Sequence, residues 1–218
     1  MFLTRFYLNK QRRDARRFLG SPQVMHAGVL ASFLPDNEAG AEGRVLWRLD
    51  NAAARPTLYI VSPGRPDLTH LVEQVGWPTA ATWETRDYQP VLDGLAAGQR
   101  WGFRLTANPT KSTKLSDQAG RSQRYGHVTA DQQQAWLTDR LPKLGVSLAK
   151  TTAGDVELEL RDRAVRRFTR QGATVTLTTV TFQGVLSIDD PESLRAALVA
   201  GVGPAKAYGC GLMTLARI

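Results

Sequence analysis

Ser21-Pro-Gln-Val-Met-His-Ala-Gly-Val-Leu-Ala-Ser-Phe33 holds the clearest helix start in the chain. Ser21 suits an N-cap, since its hydroxyl oxygen can accept a backbone N–H of the first turn that has no partner within the helix. Pro22 suits the first helical position, where its missing N–H costs nothing. Met25, Val29, Leu30 and Phe33 recur at helical spacing, so a helix is predicted from Pro22 to about Phe33, with His26 on it. Upstream, Phe2 to Leu8 alternates loosely as a strand and Gln11 to Leu19 is a basic helical stretch. Downstream, Val45 to Leu49 and Thr57 to Val61 read as strands, Asp67 to Val75 as a helix with Asp67 at its N-cap, and Thr82 to Tyr88 as a strand. The order is βαββαβ.

A Gly-containing linker, Leu92 to Gln99, leads to a second series that opens with the strand Arg100 to Thr106. Ala107 to His127 is too polar for core and too long for an ordinary connection, and is expected to be a functional or mobile loop carrying Lys111, Lys114, Arg121 and Arg124. Thr129 caps a helix through about Leu144, with Ala135, Trp136, Leu137 and Leu141 as its apolar side. Short strands follow at Val156 to Leu160, Val165 to Thr169, and Thr174 to Ile188, the last broken near Gly184. Asp190 or Pro191 starts a helix ending at Gly201, and a glycine-rich stretch precedes a final strand, Leu212 to Leu215. The expected fold class is α+β: two tandem ferredoxin-like (βαββαβ, RRM-like) domains, residues 1–92 and 99–218, with an extra basic β-hairpin in the second. The repeat rests on element order alone, since the halves share no evident sequence identity.

Composition bounds the function. The 218 residues, 42% hydrophobic and 22% charged, fit a globular chain with a real core rather than a disordered or fibrous one. Cys210 is the single cysteine, which excludes an internal disulfide and a thiolate zinc cluster and suggests a reducing, cytoplasmic setting. Charges at Arg5 and Lys10 interrupt the opening apolar residues, and no stretch approaches the roughly 20 apolar residues of a membrane span, so no membrane partner is expected. The net charge of +8 is unevenly placed. Residues 1–98 carry 11 basic and 10 acidic side chains; residues 99–218 carry 17 and 10. Arg161, Arg163, Arg166, Arg167 and Arg170 fall within ten residues, beside one acid, Asp162, and a phosphate backbone is the natural counterpart. A solvated hairpin edge that blocks strand-to-strand aggregation is the bland alternative.

Three stretches carry a resemblance. They are Met1-Phe-Leu-Thr-Arg-Phe-Tyr-Leu-Asn9 with the pair Met25-His26; Arg104-Leu-Thr-Ala-Asn-Pro-Thr-Lys111 with Ala135-Trp-Leu137 downstream; and Gly201-Val-Gly-Pro-Ala-Lys-Ala-Tyr-Gly-Cys-Gly-Leu-Met-Thr-Leu-Ala216. In combination and order they resemble the CRISPR repeat-RNA endoribonucleases of type I-E systems, the CasE family. The resemblance implies cleavage of precursor CRISPR RNA beside its repeat stem-loop, leaving a 2′,3′-cyclic phosphate and a 5′-hydroxyl, without metal or other cofactor. It also implies that the product stays bound in an interference complex with other subunits, and that His26 is catalytic. The noncatalytic alternative is a subunit that only binds the stem-loop of the CRISPR RNA.

The residues suit this chemistry. RNA brings its own nucleophile, the 2′-hydroxyl, so the protein needs proton transfer, in-line geometry and neutralisation of the phosphorane. A histidine with an ordinary pKa near 6.5 can take the 2′-hydroxyl proton or protonate the 5′-oxygen, and both roles stay open for His26. Where the family commonly has a tyrosine, three residues before the histidine, this chain has Gln23, a candidate site residue that can orient a phosphate oxygen or the 2′-hydroxyl but cannot exchange a proton at neutral pH. A lysine that the family sometimes has further along that helix is also lacking, with Ala31 and Ser32 in its neighbourhood. Candidate RNA-binding residues are the five arginines, Lys111, Lys114, Lys206, Gly203 and Gly209. Four glycines in Gly201 to Gly211 permit φ > 0 and an anion nest beside Lys206, or simply let a helix pack on a sheet. The stretch lacks the Gly-Lys-Ser/Thr ending of a Walker A loop and the strand-to-helix context of a dinucleotide site.

Overall fold

The computed structural model describes residues 1–33, 44–51, 55–77, 79–114, 122–170 and 172–218, with the backbone alone for 112–114 and 122–124. The first half runs β1 (Phe2–Tyr7), α1 (Ala15–Gly20), α2 (Pro22–Leu30), β2 (Leu46–Asp50), β3 (Thr57–Ser62), α3 (Thr69–Val75), β4 (Trp83–Asp87) and a short α4 (Gln89–Asp93). Its strands form one antiparallel sheet in the order β2-β3-β1-β4. Alternation sends Phe6, Trp47, Leu58 and Ile60 to one face, where they pack with Phe18, Met25, Val29 and Leu71 of the helices. The opposite face carries Leu3, Leu46 and Val61 into a second core that belongs mostly to the other half. Asp67, the expected cap of α3, lies one residue before the observed one. The N-cap is Leu68, and the Asp67 carboxylate instead accepts from the backbone N–H and hydroxyl of Thr69, at 2.9 and 2.6 Å.

The second half runs β5 (Arg100–Ala107), β6 (Thr110–Lys114), β7 (Ser122–Gly126), α5 (Ala130–Thr138), a 3-10 turn (Leu141–Leu144), β8 (Val146–Leu148), β9 (Leu158–Arg170), β10 (Ala173–Ile188), α6 (Pro191–Ala200), a 3-10 turn (Lys206–Tyr208) and β11 (Met213–Ala216). Its sheet order is β11-β5-β10-β8. With the β6–β7 ribbon and β9, which pairs with β10 beside this path, left aside, each sheet reads 4-1-3-2 within its own unit, the ferredoxin-like order; β8, the second strand of the second unit, was not among the strands expected from the sequence. Phe103, Leu105, Phe182 and Leu186 meet Trp136 and Leu137 of α5 and Leu194 and Leu198 of α6 in the larger core. The caps at both helices are realised. Thr129 and Gln132 form a reciprocal capping box on α5, and Asp190 accepts from Glu192 N–H at the start of α6.

Three expectations change. The segment Ala107 to His127 is not one loop, because β6 and β7 form a two-stranded ribbon within it, on either side of 115–121, which lie outside the described residues. The helix expected through Leu144 stops at Thr138, and Pro142 belongs to the separate 3-10 turn that ends on Gly145 at φ +68°. The strands expected at 156–160 and 165–169 are one strand, β9, and β10 runs unbroken through Gly184, where a side chain would strike the Glu157 carbonyl. Local polarity suggested a break in β9; pairing along β10 supplies the continuity. The pairing shifts where Thr179 faces Ala164 but Thr181 faces Arg161, a bulge that leaves Asp162 at φ +49°. From Thr179 to Ala173, β10 pairs with β9 alone, so a two-stranded arm extends beyond the sheet, roughly 20 Å long at strand rise.

Arg48 of β2 joins the halves. It is 2% exposed, and its guanidinium makes a two-point ion pair with Asp50 at 2.8 and 3.2 Å. Nη1 donates to the carbonyls of Arg104 on β5 and of Leu212 before β11, at 2.8 and 3.2 Å, and the group lies over the Tyr59 ring. Removing Arg48 leaves the nearly buried Asp50 carboxylate with only the longer ion pair to Arg104, at 3.6 Å, and takes a charged donor from two carbonyls. Arg48→Met is therefore expected to lower the unfolding free energy by about 3 to 5 kcal/mol, measured by urea titration.

Candidate active site

His26 lies on α2, whose start is fixed as the sequence indicates: Ser21 accepts from Val24 N–H at 3.4 Å and Pro22 occupies the first turn. Pro22, Met25 and Val29 are buried beneath the helix, which leaves His26 half-buried on its flank. The indole N–H of Trp47, on β2, donates to His26 Nδ1 at 3.4 Å. Gln23 lies one turn earlier with its Oε1 buried and without a hydrogen-bond partner among the described residues. Ser32 turns its hydroxyl back onto the Gly28 carbonyl at 3.2 Å.

The helix packs across the boundary between the halves, against the Lys206–Tyr208 turn and against β9. A narrow cleft of about 30 Å³ marks that junction, lined by Pro22, Met25, Trp47, Arg166, Tyr208 and Gly209 among others. The bulge in β9 decides which arginines share this side. Arg161, Arg166 and Arg170 lie opposite Thr181, Leu177 and Ala173, on the face turned toward α2; Arg163 and Arg167 fall on the other face. Arg170 donates to the Tyr208 hydroxyl at 2.9 Å, and Phe168 meets the same ring edge-on. Arg161 pairs with Glu159 at 2.7 Å. Arg163 is held by α5, donating to Gln133 Oε1 at 2.9 Å and to the Val128 carbonyl at 2.7 Å, while Arg167 is exposed.

The other sequence candidates are dispersed. Lys206 donates to the carbonyl of Ala200, the last residue of α6, at 2.6 Å, and burial, then the charge of Arg44, pulls its pKa below the usual lysine range. Gly203 and Gly209 have φ of +77° and +80°, and a Cβ would lie 2.8 Å from the Trp136 ring and 2.6 Å from the Trp47 ring. Both glycines thus have a packing reason for lacking a side chain. Lys111 is exposed on the β6–β7 ribbon, beside a cavity of about 460 Å³ shared with His127 and Arg140. The side chain of Lys114 and the whole of Arg121 lie outside the described residues. Among the described residues, no group of three or more His, Cys, Asp or Glu side chains is placed to hold a metal ion.

Two site residues escaped the sequence reading. Trp47 looks like any core aromatic of a strand, and Tyr208 like any residue of a glycine-rich turn; packing brings both to α2, Trp47 within the first unit's own core and Tyr208 across the boundary between the halves. Cys210, of the same glycine-rich stretch, is a buried packing residue. It is 1% exposed, and burial pushes its thiol up to about 12. Iodoacetamide at about pH 8, below that value, is expected to leave the native protein unlabelled and to label it after urea unfolding. Mass spectrometry reads both states.

A family model described as CRISPR associated protein matches residues 1–217. The chain is 34% identical over 225 residues to the CRISPR-associated endoribonuclease Cse3 of Thermus thermophilus, covering 99% of this chain and 100% of that protein. It is 32% identical over 130 residues to the CRISPR system Cascade subunit CasE of Escherichia coli, covering 57% and 61% of the two chains. A solved structure of Cse3 bound to a 19-nucleotide RNA matches with a TM-score of 0.81 at 32% identity, covering 99% of this chain and 100% of that one. No helix among the described residues is long and apolar enough to cross a membrane. With its two ferredoxin-like units, its glycine-rich tail packed on the histidine helix and this end-to-end similarity, the chain belongs to the CRISPR-associated family of type I-E, CasE-like endoribonucleases.

Proposed function

We propose that this protein cuts precursor CRISPR RNA beside its repeat stem-loop and keeps the product bound as a subunit of an interference complex. The observation that carries this reading is the packing of the His26 helix against the arginine strand β9, in a chain similar along its whole length to a protein named an endoribonuclease. Binding of RNA is supported by the Cse3 structures, whose names include a pre-cleavage complex. Assembly with other subunits is supported by the similarity to a Cascade subunit.

The chemistry follows from what RNA lacks and what the cleft offers. The 2′-oxygen attacks the adjacent phosphorus, the bond to the 5′-oxygen breaks, and a 2′,3′-cyclic phosphate and a 5′-hydroxyl remain. Two proton movements accompany this, one from the 2′-hydroxyl and one to the 5′-oxygen, and His26 serves one of them. Arg166 and Arg170 supply positive charge for the phosphorane, the arginine fork being suited to two non-bridging oxygens. No bound metal is required by this scheme. Gln23 exchanges no proton, so the chemical step is slow, and retention of the product holds the enzyme close to a single turnover. The arm of β9 and β10, with its arginines, reaches the phosphates of the RNA stem, whose deep, narrow major groove hides its base edges.

A stem-loop RNA from the protein's own repeat, incubated with EDTA, should be cut to the cyclic phosphate and 5′-hydroxyl. His26→Ala should slow cutting by roughly 10² to 10⁴-fold with little change in binding, and a 2′-deoxy nucleotide just 5′ of the cut should abolish it. Wild-type rates in His26→Ala would remove His26 from the chemistry; no cutting by the wild type would favour the subunit that only binds, a reading that Gln23 supports. Arg166→Ala and Arg170→Ala should each flatten the slope of log affinity against log salt by about 1, measured by filter binding. An unchanged slope would take these arginines off the phosphates.

A further inference from the structure

We propose that Trp47 is the positioning residue of His26, holding the imidazole in the tautomer that carries its proton on Nε2, and that Gly209 is glycine so that the indole can do this. The inference rests on the reading of His26 as the proton-handling group and decides what the sequence left open, namely how that group meets the RNA.

An indole N–H can only donate, and a neutral imidazole has one donor and one acceptor nitrogen. With the Trp47 N–H directed at Nδ1, the lone pair of Nδ1 is engaged and the proton resides on Nε2. The indole has no freedom to yield. Trp47 is 3% exposed; its strand is tied down by the neighbouring Arg48, and its six-membered ring lies against the backbone of Gly209. A Cβ at position 209 would come within 2.6, 2.9 and 3.1 Å of three ring carbons, and the φ of +80° there already favours glycine. The glycine-rich tail therefore reaches the histidine through one intermediate side chain. The chemical consequence is directional. In this tautomer Nε2 is a hydrogen-bond donor, matched to the 5′-oxygen or a non-bridging phosphate oxygen as negative charge develops there. Taking the 2′-hydroxyl proton through Nε2 would first require the ring proton to move to Nδ1, against the indole N–H.

The tautomer is read directly by long-range proton–nitrogen correlation on the 15N-labelled protein at about pH 8, above the ordinary histidine pKa. Wild type should show a protonated Nε2 and an unprotonated Nδ1 for His26, and Trp47→Phe should show a mixture with Nδ1–H populated. Cleavage by Trp47→Phe should fall roughly tenfold, the worth of one hydrogen bond, with stem-loop affinity unchanged. Placing benzothienylalanine at position 47, which keeps the bicyclic ring and replaces N–H by sulfur, should reproduce both effects even where the smaller phenyl ring disturbs the fold. A wild-type His26 protonated on Nδ1 overturns the proposal, as does a benzothienylalanine protein with the wild-type tautomer and rate. The spectrum is taken without RNA, so it stands or falls separately from the cleavage assay of His26→Ala, which tests the catalytic reading itself.

Discussion

A buried arginine that answers to both halves of the chain is the constraint on which the rest of the site depends. Arg48 spends its charge on Asp50 in its own strand and its remaining donors on two carbonyls of the second unit. A cation at 2% exposure is tolerable only when paired and hydrogen-bonded, so the position of β2 depends on those of β5 and the approach to β11. That requirement fixes the register of one sheet against the other. On the opposite face of the same strand, one residue away, stands Trp47. The alternation of a β-strand thus turns a structural clamp on one side into a fixed support for His26 on the other.

The halves are unequal in charge but not separate in function. The first is close to neutral and carries the histidine, the second carries the excess of arginines, and a division into a chemical half and a binding half is tempting. The packing joins them instead. Helix α2 lies on the tail turn and on β9, and the cleft there takes residues from both units. The bulge at Asp162 adds a selection that charge counting cannot make. An extra residue in one strand reverses the faces, so Arg166 and Arg170 share the side of α2 while Arg163 is committed to α5. Five arginines within ten residues are a single cluster in sequence and two groups in space.

Local chemistry was legible where the physics is local. Ser21, Thr129 and Asp190 marked helix starts because a cap is satisfied within three residues. The four tail glycines, which permit positive φ, do adopt it. The long polar segment after Ala107 misled because β6 and β7 pair mainly with each other, and their polar sequence gives no apolar alternation to read. The polar middle of β9 misled for a related reason: its exposed arm is held by hydrogen bonds to β10 rather than by burial.

The order of elements in the first half, the histidine helix, the basic strand and the motifs that place the chain in its family are all written in local sequence. Only the tertiary structure decided which of these meet. Trp47 and His26 are 21 residues apart and Gly209 lies far beyond both, so nothing in their neighbourhoods signals that they form one chain of contacts. A hydrogen bond between side chains depends on tenths of an ångström, and this one is set by the packing of α2 on the first sheet and by Gly209 arriving from the second unit, which is held to the first by a clamp whose partners are 56 and 164 residues from Arg48.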